Sequence, residues 1–485
     1  MKQKKYNNKP KTRLWRCIAL SLVFAFALGL TPFSGAESTE VPKRSMMTLE
    51  ECIQIALDNH LPLRIAEKQL KLAKFRLLEA QRKIGPSFAT KLETSSGEVQ
   101  GRKYTGAKVT VEGKQPVFYG GELVFSVGQA KTNLKIVRND YDRIKNELIL
   151  QVEKAYYSVD KAGKALGIQE KLQSRIAELY SMVKSGYEAN VIAQIEFLEI
   201  SSQHNQAGFQ VLSATEDCSI ANLLLQQSMN VDRDVEIAGT GEPRIIELDL
   251  ENCFGLASLN RPELRIGRLS LEYFGYEKKI MQARATFPRV DFLGMYGNMR
   301  EDFVKGDLSG KDPRGLGPEY YVGMKASWPF WGSTVGYSST KETWQSVVSA
   351  YQGTESVTHS ITFDILNKME DLSGLQEAEL ELMRALEEVN RKEQEITLEV
   401  KETFFKYRKA IVLMGVAGSK VEFQTKQVEI LEIRRQLGEA QYSDVAEELI
   451  KLAEERFSFV QAIADYFIAI ASLNKAIGIE RYFEI

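Results

Sequence analysis

The residue types that most often carry chemistry are scattered through this sequence and form no recognisable constellation. The three histidines are His60, His204 and His359, and their spacing does not suit metal ligands. No nucleophile–base pair, glycine-rich phosphate loop or cluster of metal ligands is evident. The sequence therefore predicts a protein that is not an enzyme and that has no catalytic, cofactor-binding or metal site.

The charge balance and the N-terminus indicate an exported protein. The formal net charge is −2, so no basic excess points to a nucleic-acid partner. Lysines and arginines precede an apolar run from Cys17 to Leu30, and the small residues Ser34-Gly35-Ala36 follow it. This pattern predicts a secretory signal peptide over residues 1–36. No later apolar stretch reaches about 18 residues, so no membrane-spanning helix is expected.

Three cysteines remain after the predicted signal peptide, namely Cys52, Cys218 and Cys253. An odd number in an oxidising compartment does not suit a disulfide framework. Each lies in a helical pattern beside apolar residues, so we expect all three to be small buried hydrophobic side chains.

The elements that could position any functional residue are long helices. From about Gly121 to Lys184, apolar or small residues recur at alternating steps of four and three, which is a heptad pattern typical of coiled coils. About 65 residues at 1.5 Å each make a rod of roughly 100 Å. Two interpretations explain this stretch equally well, namely an ordinary long coiled coil and a rod that crosses a compartment.

The plan of helices occurs twice, because Cys52, Ala56 and Leu63 match Cys253, Ala257 and Leu264 at a constant offset of 201. We expect a first structural repeat over residues 37–230, a linker over 231–249 and a second repeat over 250–485. Each repeat contains a short helix, a hairpin, a long helix and a return helix. An insertion near 332–370, which has no counterpart in the first repeat, delays the second long helix.

Between the helices of each repeat, the apolar period changes from that of a helix to the alternation of a strand. We expect one hairpin of two strands, each about ten residues long, in each repeat, which makes four strands per chain. Ten residues suit a tilted strand across a bilayer. A soluble hairpin with one buried face is the alternative. If the strands do span a membrane, several copies must pool them, since four strands cannot close a barrel and an open edge cannot face lipid.

This order of elements resembles the TolC-like outer membrane efflux proteins over essentially the whole mature chain. The family's Asn-Pro-Glu-Leu helix start is echoed by Asn260-Arg261-Pro262-Glu263-Leu264, with one residue inserted. Its hairpin exit of proline, aromatic and small residues is echoed at 116–121 and 329–332. Its tip motif, a glycine followed six residues later by Asp-Val, is echoed by Gly438 with Asp444-Val445.

The resemblance implies a mainly α fold with a small β part. Three copies would form a trimeric α-barrel in the periplasm, continuous with a 12-stranded β-barrel in the lipid of the outer membrane. It implies a passive exit duct of a tripartite efflux or type I secretion system, whose partners are a periplasmic adaptor and an inner-membrane transporter. The alternative is a periplasmic coiled-coil adaptor or scaffold, which would carry one helical hairpin flanked by soluble β-domains.

By the same resemblance, Asp444 and Glu447 occupy the positions of an acidic gate at the end of the tube. A ring of carboxylates in a narrow pore attracts cations and repels anions. The alternative is that Asp444 caps a helix and Glu447 follows it in the first turn. The turns at the far ends of the helical rods are expected to meet the adaptor. Their residues are Ser185, Gly186, Tyr187, Leu437, Gly438 and Glu439.

Overall fold

The structure of the protein is a computed structural model, and it describes residues 46–99, 102–303, 318–344 and 354–480. The predicted signal peptide over 1–36 lies outside the described residues. Residues from Met46 onward form one compact unit by their contacts.

The first repeat begins with two short helices, α1 and α2, that are separated at His60. A hairpin of strands β1 and β2 follows, then the long helix α3 and the return helix α4. Their bounds are α1 Leu49–Asn59, α2 Leu61–Arg82, β1 Ser87–Val99, β2 Arg102–Phe118, α3 Glu122–Glu188 and α4 Gln194–Met229.

The second repeat follows the same order but, within its described residues, contains four strands instead of two. Its long helix α7 and return helix α8 match α3 and α4 in length. The bounds are α5 Leu250–Asn260, α6 Pro262–Thr286, β3 Arg289–Phe303, β4 Pro318–Phe330, β5 Ser333–Trp344, β6 Thr354–Asp364, α7 Met369–Gln436 and α8 Tyr442–Ile477.

Each long helix packs beside two shorter helices that are stacked end to end. Helix α3 contacts α2 and α4, and α7 contacts α6 and α8. At the first junction the Asn230 side chain donates a hydrogen bond to the Asn59 carbonyl. At the second junction the Arg261 side chain donates to the Lys475 carbonyl at 2.9 Å. Because α3 also contacts α6 and α8, the helices form a wall of four columns in the order α2/α4, α3, α6/α8, α7.

The strands form one antiparallel sheet in chain order from β1 to β6. The expectation of four strands per chain was therefore wrong, because the inserted region contributes the further hairpin β5–β6. The motif Pro329-Phe330-Trp331-Gly332 does not lead into a helix as its counterpart at 116–121 does. Phe330 pairs with Ser333, so Trp331 and Gly332 form a two-residue turn that sends the chain back into the sheet.

The backbone of this turn explains the reversal. Trp331 has φ 48° and Gly332 has φ 71°, and two successive left-handed residues are what a tight hairpin turn of the primed type requires. Glycine adopts this conformation without a steric penalty, whereas a tryptophan does so only under constraint from its surroundings. In both repeats the aromatic–glycine pair marks the end of a strand. Whether a helix or another strand follows depends on whether the next residues pair with the sheet.

Equivalent positions of the two repeats occupy equivalent places in the core. Cys52 and Cys253 are both buried, as are Ala56 and Ala257. Burial raises the pKa of the Cys52 thiol to about 11, which suits an inert side chain. The expectation of a buried cysteine holds for these two, while Cys218 is only half-buried.

Within the described residues, α8 is the helix that is long and apolar enough to cross a membrane by length and composition. This differs from the expectation that no such stretch follows the signal peptide. The apolar residues of α8 pack against α3 and α7, and half of the apolar window is buried inside the chain. The hydrophobicity of α8 is therefore accounted for by the protein core.

A buried ion cluster holds the junction between α6 and α8. Arg261, the residue inserted in the Asn-Pro-Glu-Leu motif, is only 3% exposed and pairs with Glu399 of α7. Lys475 of α8 pairs with the same carboxylate at 2.7 Å. Burial by itself raises the pKa of Glu399, but Arg261 and Lys475 outweigh it, so the pKa is lowered overall. The cluster therefore links three helices through one carboxylate.

We expect Glu399→Gln to destabilise the protein by about 2 kcal/mol at pH 7, because the substitution removes the carboxylate that Arg261 shares with Lys475 and leaves the buried Arg261 with Glu263 alone, 3.1 Å away. A lowered folded-state pKa stabilises the protein above the ordinary pKa, and this stabilisation is lost as pH falls through the folded value. The difference in melting temperature between wild type and variant should therefore narrow towards pH 3. Calorimetry at both pH values checks this result, with the exposed Glu402→Gln on the same helix as control. A difference that does not depend on pH would contradict the assignment.

Candidate functional site

One face of the six-stranded sheet is mainly apolar and exposed across all six strands, with the ion pair of Lys341 and Glu355 near the end far from the helices. Val111 of β2 pairs with Tyr296 of β3, and Tyr296 pairs with Tyr320 of β4, so these three side chains lie on the same face of the sheet. Its large exposed side chains are Phe88, Leu92, Val109, Val111, Phe292, Tyr296, Val322, Met324, Trp328, Phe330, Tyr337, Val357, Ile361 and Phe363. A soluble sheet buries such a face, so its exposure is typical of strands that face lipid.

The opposite face of the sheet is polar. On the first strands it carries cross-strand ion pairs, with Lys91 to Glu112 at 2.7 Å and Lys114 to Asp291 at 2.9 Å. On the inserted hairpin it carries small hydroxyl side chains, and Ser338 and Ser360 are 2.7 Å apart. Apolar residues on one face and polar residues on the other, alternating along each strand, are the pattern of a barrel wall between lipid and water.

Among the described residues, the sheet has an unpaired edge on each side of the chain. Strand β1 follows α2 and strand β6 precedes α7, so each open sheet edge continues a free column of the helical wall. The two outer columns also carry exposed apolar residues at heptad spacing. On the α2/α4 side these include Leu61, Ile65, Leu72, Phe75, Phe209, Leu212 and Leu223; on α7 they include Leu398, Phe405, Val412, Val416, Phe423 and Ile430. Coiled-coil positions of this type require a partner helix.

The first tip, which we define as residues 185–193, differs from the expectation. Ser185, Gly186 and Tyr187 lie in the last turn of α3, and the reversal of the chain comes after them. The left-handed residue of the turn is Asn190, with φ 59°, a conformation that asparagine tolerates better than most residues. Gly186 is helical, and a Cβ atom there would lie 2.6 Å from Ile192 Cδ1. Gly186 therefore permits the loop to pack back on the helix.

The second tip, which we define as residues 437–441, has the geometry that the glycine predicts. Gly438 has φ 78° and ends helix α7. The Glu439 N–H donates to the Arg434 carbonyl at 2.8 Å, and the Gly438 N–H donates to the Arg435 carbonyl at 3.0 Å. These two bonds form a Schellman cap. Leu437 and Glu439 are exposed beside it.

The two tips lie side by side. The Tyr442 N–H, at the start of α8, donates to the Glu196 carboxylate at 3.0 Å, which joins the second return helix to the first. The helix ends that meet here also carry exposed apolar side chains. They are Val191, Ile195, Ile433 and Leu437. We call these four residues at the end of the helical rods the tip surface.

The structure places Asp444 and Glu447 on one exposed face of α8, in its first turns. The Asp444 carboxylate accepts a hydrogen bond from the Gln441 N–H at 3.0 Å, so Asp444 takes part in a helix cap. Glu447 forms an ion pair with Lys451 at 2.8 Å. Sequence analysis missed Lys451, although its spacing of four from Glu447 signals such a pair.

Among the described residues there is no group of histidines, cysteines and carboxylates that could hold a metal ion. The polar face of the sheet, the tip surface and the acidic face of α8 are surfaces rather than enclosed sites. Their arrangement can guide and exclude solutes, and it contains no positioned nucleophile and base.

Comparison with known proteins agrees with this geometry. Residues 52–231 match the family model for outer membrane efflux protein. A search of curated proteins finds no match. Among solved structures, the channel CusC is 14% identical with a TM-score of 0.70, and the match covers 93% of this chain and 100% of that one.

Two further solved channels have the same fold. The Campylobacter jejuni CmeC outer membrane channel is 14% identical with a TM-score of 0.70, over 94% of this chain and 95% of that one. The open state of the Neisseria gonorrhoeae MtrE outer membrane channel is 15% identical with a TM-score of 0.67, over 89% of each chain. The resemblance to the TolC-like outer membrane efflux proteins is thereby confirmed. The family matched over residues 52–231 and these solved structures are outer membrane proteins and channels, which agrees with the expectation from the sequence.

Proposed function

We propose that this chain, which resembles outer membrane efflux proteins in sequence and fold, is the exit duct of a tripartite efflux or type I secretion system. It conducts cargo passively from the periplasm to the exterior. The observation that carries the proposal is the six-stranded sheet with an exposed apolar face on one side and a polar face on the other. Helices of 67 and 68 residues extend from that sheet, roughly 100 Å at 1.5 Å per residue.

A single chain cannot perform this function, so we propose a homotrimer. The sheet leaves β1 and β6 open, and unpaired backbone groups are not tolerated in lipid. The apolar heptad positions of α7 would pack against the α2/α4 column of the next copy. Three is the number of copies that the family resemblance implies. The strands would then lie in the outer membrane and the helices would form a tube in the periplasm.

The α7 interface is testable with adjacent substitutions. Phe405 is 56% exposed in the single chain and lies on the apolar edge, whereas Lys406 beside it is charged and exposed. We expect Phe405→Glu to dissociate the trimer, because three carboxylates would be buried at the contacts between copies. Lys406→Glu should leave the trimer intact. Native mass spectrometry in detergent distinguishes the two, and a trimer of unchanged stability for Phe405→Glu would contradict the interface.

We propose that the tip surface receives the periplasmic adaptor, which in turn contacts the inner-membrane transporter. The four apolar side chains around the joined tips are exposed at the end of the rods. Apolar residues in such a cluster are typical of the centre of a protein interface. The placement of Gly186 inside α3 changes its proposed role. It shapes the first tip, while Leu437 and its neighbours supply the contact.

We expect Val191→Gln with Leu437→Gln to weaken adaptor binding at least about tenfold, since each buried side chain contributes about 1.5 kcal/mol. The control is Leu259→Gln, because Leu259 lies far from the tips and is 68% exposed against 69% for Leu437. Binding of the purified adaptor from the same organism is measured for both variants, with trimer content checked by native mass spectrometry. Equal binding by the two variants would exclude the tip surface.

We propose that Asp444 and Glu447 line the periplasmic entrance of the duct. Both side chains are exposed on one face of α8, as a ring of carboxylates around an axis requires. Lys451 lies on the same face and is paired with Glu447, so the three side chains together carry one net negative charge per copy. The cap formed by Asp444 and the ring are compatible, because the cap uses one carboxylate oxygen.

We expect Asp444→Asn with Glu447→Gln to lower the cation-to-anion permeability ratio severalfold, since two negative charges per copy are lost while Lys451 keeps its charge and its other partner, Glu448, at 3.0 Å. Lys451→Gln should shift the ratio the other way. Reversal potentials in planar bilayers measure both. Asparagine still offers an oxygen to the Gln441 N–H, so thermal stability should change by less than about 1 kcal/mol. If stability falls while neither variant alters the reversal potential, the two carboxylates serve the helix alone.

A further inference from the structure

The hairpin β5–β6 has no equivalent in the first repeat. It lies between the end of β4 and the start of α7, where the first repeat passes directly from β2 into α3. Its two ends meet, because the Lys368 N–H donates to the Gly332 carbonyl at 2.8 Å. The hairpin is therefore an addition to the sheet that leaves the remaining path of the chain unchanged.

The added strands have both faces of a barrel wall. Val357, Ile361 and Phe363 continue the exposed apolar face, and Tyr337 lies opposite Ile361 on the same side. The other face carries small polar side chains along most of its length. They are Thr334, Ser338, Thr340, Ser356, Thr358, Ser360 and Thr362. Every residue from Ser333 to Thr343 also pairs with β4, so the hairpin is an integral part of the sheet.

We propose that β5 and β6 are barrel strands, and that β6 of one copy pairs with β1 of the next. This inference rests on the trimeric duct proposed above. With six strands in each of three copies, the barrel has 18 strands and not the 12 implied by the family resemblance. Strand β1 leads away from the helices and β6 leads back to them, so the new pair is antiparallel like every other pair in the sheet.

The register within the chain has the stagger of a closed barrel. Successive partners run across the sheet in the order Ser87, Lys114, Leu293, Gly323, Thr340, Thr358. This line starts at the first residue of β1 and reaches β6 six residues before its last residue, Asp364. Six residues are about 20 Å along a strand, and five strand spacings are about 24 Å, so the tilt is about 40°. Membrane barrels have tilts of about 35–45°.

The alternation of faces restricts the register of the new pair. The polar face contains even-numbered residues of β6 and odd-numbered residues of β1, such as Ser360 and Lys91. A pairing that keeps polar residues on one side must therefore place Ser360 opposite an odd-numbered residue. The observed stagger leaves Lys91 and Glu93 as the candidates.

The added strands also make the circumference of the barrel equal to that of the helical tube. At a tilt of about 40°, 18 strands have a circumference of roughly 110 Å, whereas 12 strands have roughly 75 Å. Three copies of the four-column wall give 12 helical columns, which at about 9 Å apart have a circumference of roughly 110 Å. The 18-stranded barrel is thus as wide as the helical tube, so large hydrophilic cargo that passes the tube meets no narrower wall at the membrane.

Cysteine pairs test the contact between β6 and β1. Ser360→Cys is combined with Lys91→Cys or with Glu93→Cys in the full chain, and disulfide formation is followed on denaturing gels. One of the two pairs should form covalent dimers and trimers, because opposed residues in antiparallel strands lie within disulfide range. Ser360→Cys with Leu92→Cys is the matched control, since Leu92 lies on the opposite face, and each single variant is a second control.

Deletion of residues 333–367 tests the width of the barrel independently. The variant joins Gly332 to Lys368, which already lie in contact. It should form a trimer with four strands per copy, and polyethylene glycols added on the sheet side of a planar bilayer should enter the pore only up to a smaller size, because barrel diameter grows linearly with strand number.

The outcomes separate the two proposals. Intermolecular disulfides from one odd-numbered pair, with none from the Leu92 control, support the 18-stranded barrel whether or not the deletion variant folds. If the wild type is an outer-membrane trimer with a pore but neither odd-numbered pair cross-links, the inference is overturned and the duct remains. An unchanged size limit for polyethylene glycols on the sheet side of a trimeric deletion variant also overturns it. A wild type that forms no trimer and no pore overturns both.

Discussion

Backbone hydrogen bonding at the edges of the sheet is the constraint on which the proposed assembly depends. Each strand of a membrane sheet must pair on both sides, because unpaired N–H and C=O groups cost several kcal/mol each in hydrocarbon. This chain satisfies that requirement for β2 to β5 and leaves β1 and β6 open. The open edges explain why the protein is proposed to act as an assembly and why the two sides of the chain must complement each other.

The helical wall is under a comparable constraint in water, because its outer edges also need a partner. Its outer columns carry apolar heptad residues such as Phe75 and Phe423, which would be unfavourable on the surface of a monomer. The first column continues into β1, and β6 continues into α7. One contact between copies would therefore cover both the apolar helix edges and the open strand edges. The strands in lipid and the helices in water would favour the same arrangement.

Polar interactions position these columns along their length. Arg261, Glu399 and Lys475 hold the junction of two stacked helices against the long helix beside them. The bond from Tyr442 to Glu196 aligns the two tips at the end of the columns. Both are contacts between segments far apart in sequence, so small changes there shift a whole column rather than a single loop. The tip surface and the acidic face of α8 depend on that alignment.

The sequence by itself determined the helices and the repeat, because heptad spacing and the matched positions such as Cys52 and Cys253 are local patterns. It also located the second tip, since Gly438 must adopt a left-handed conformation there. Tertiary structure alone decided the number of strands, because the exit at Trp331-Gly332 turns into the sheet only when β4 offers an edge to pair with. Tertiary structure also decided the conformation of the first tip, where Ile192 packs on a helical Gly186. It decided the role of Arg261 as well, because its partner Glu399 lies 138 residues away. Such choices depend on which distant segment is adjacent, and no local pattern contains that information.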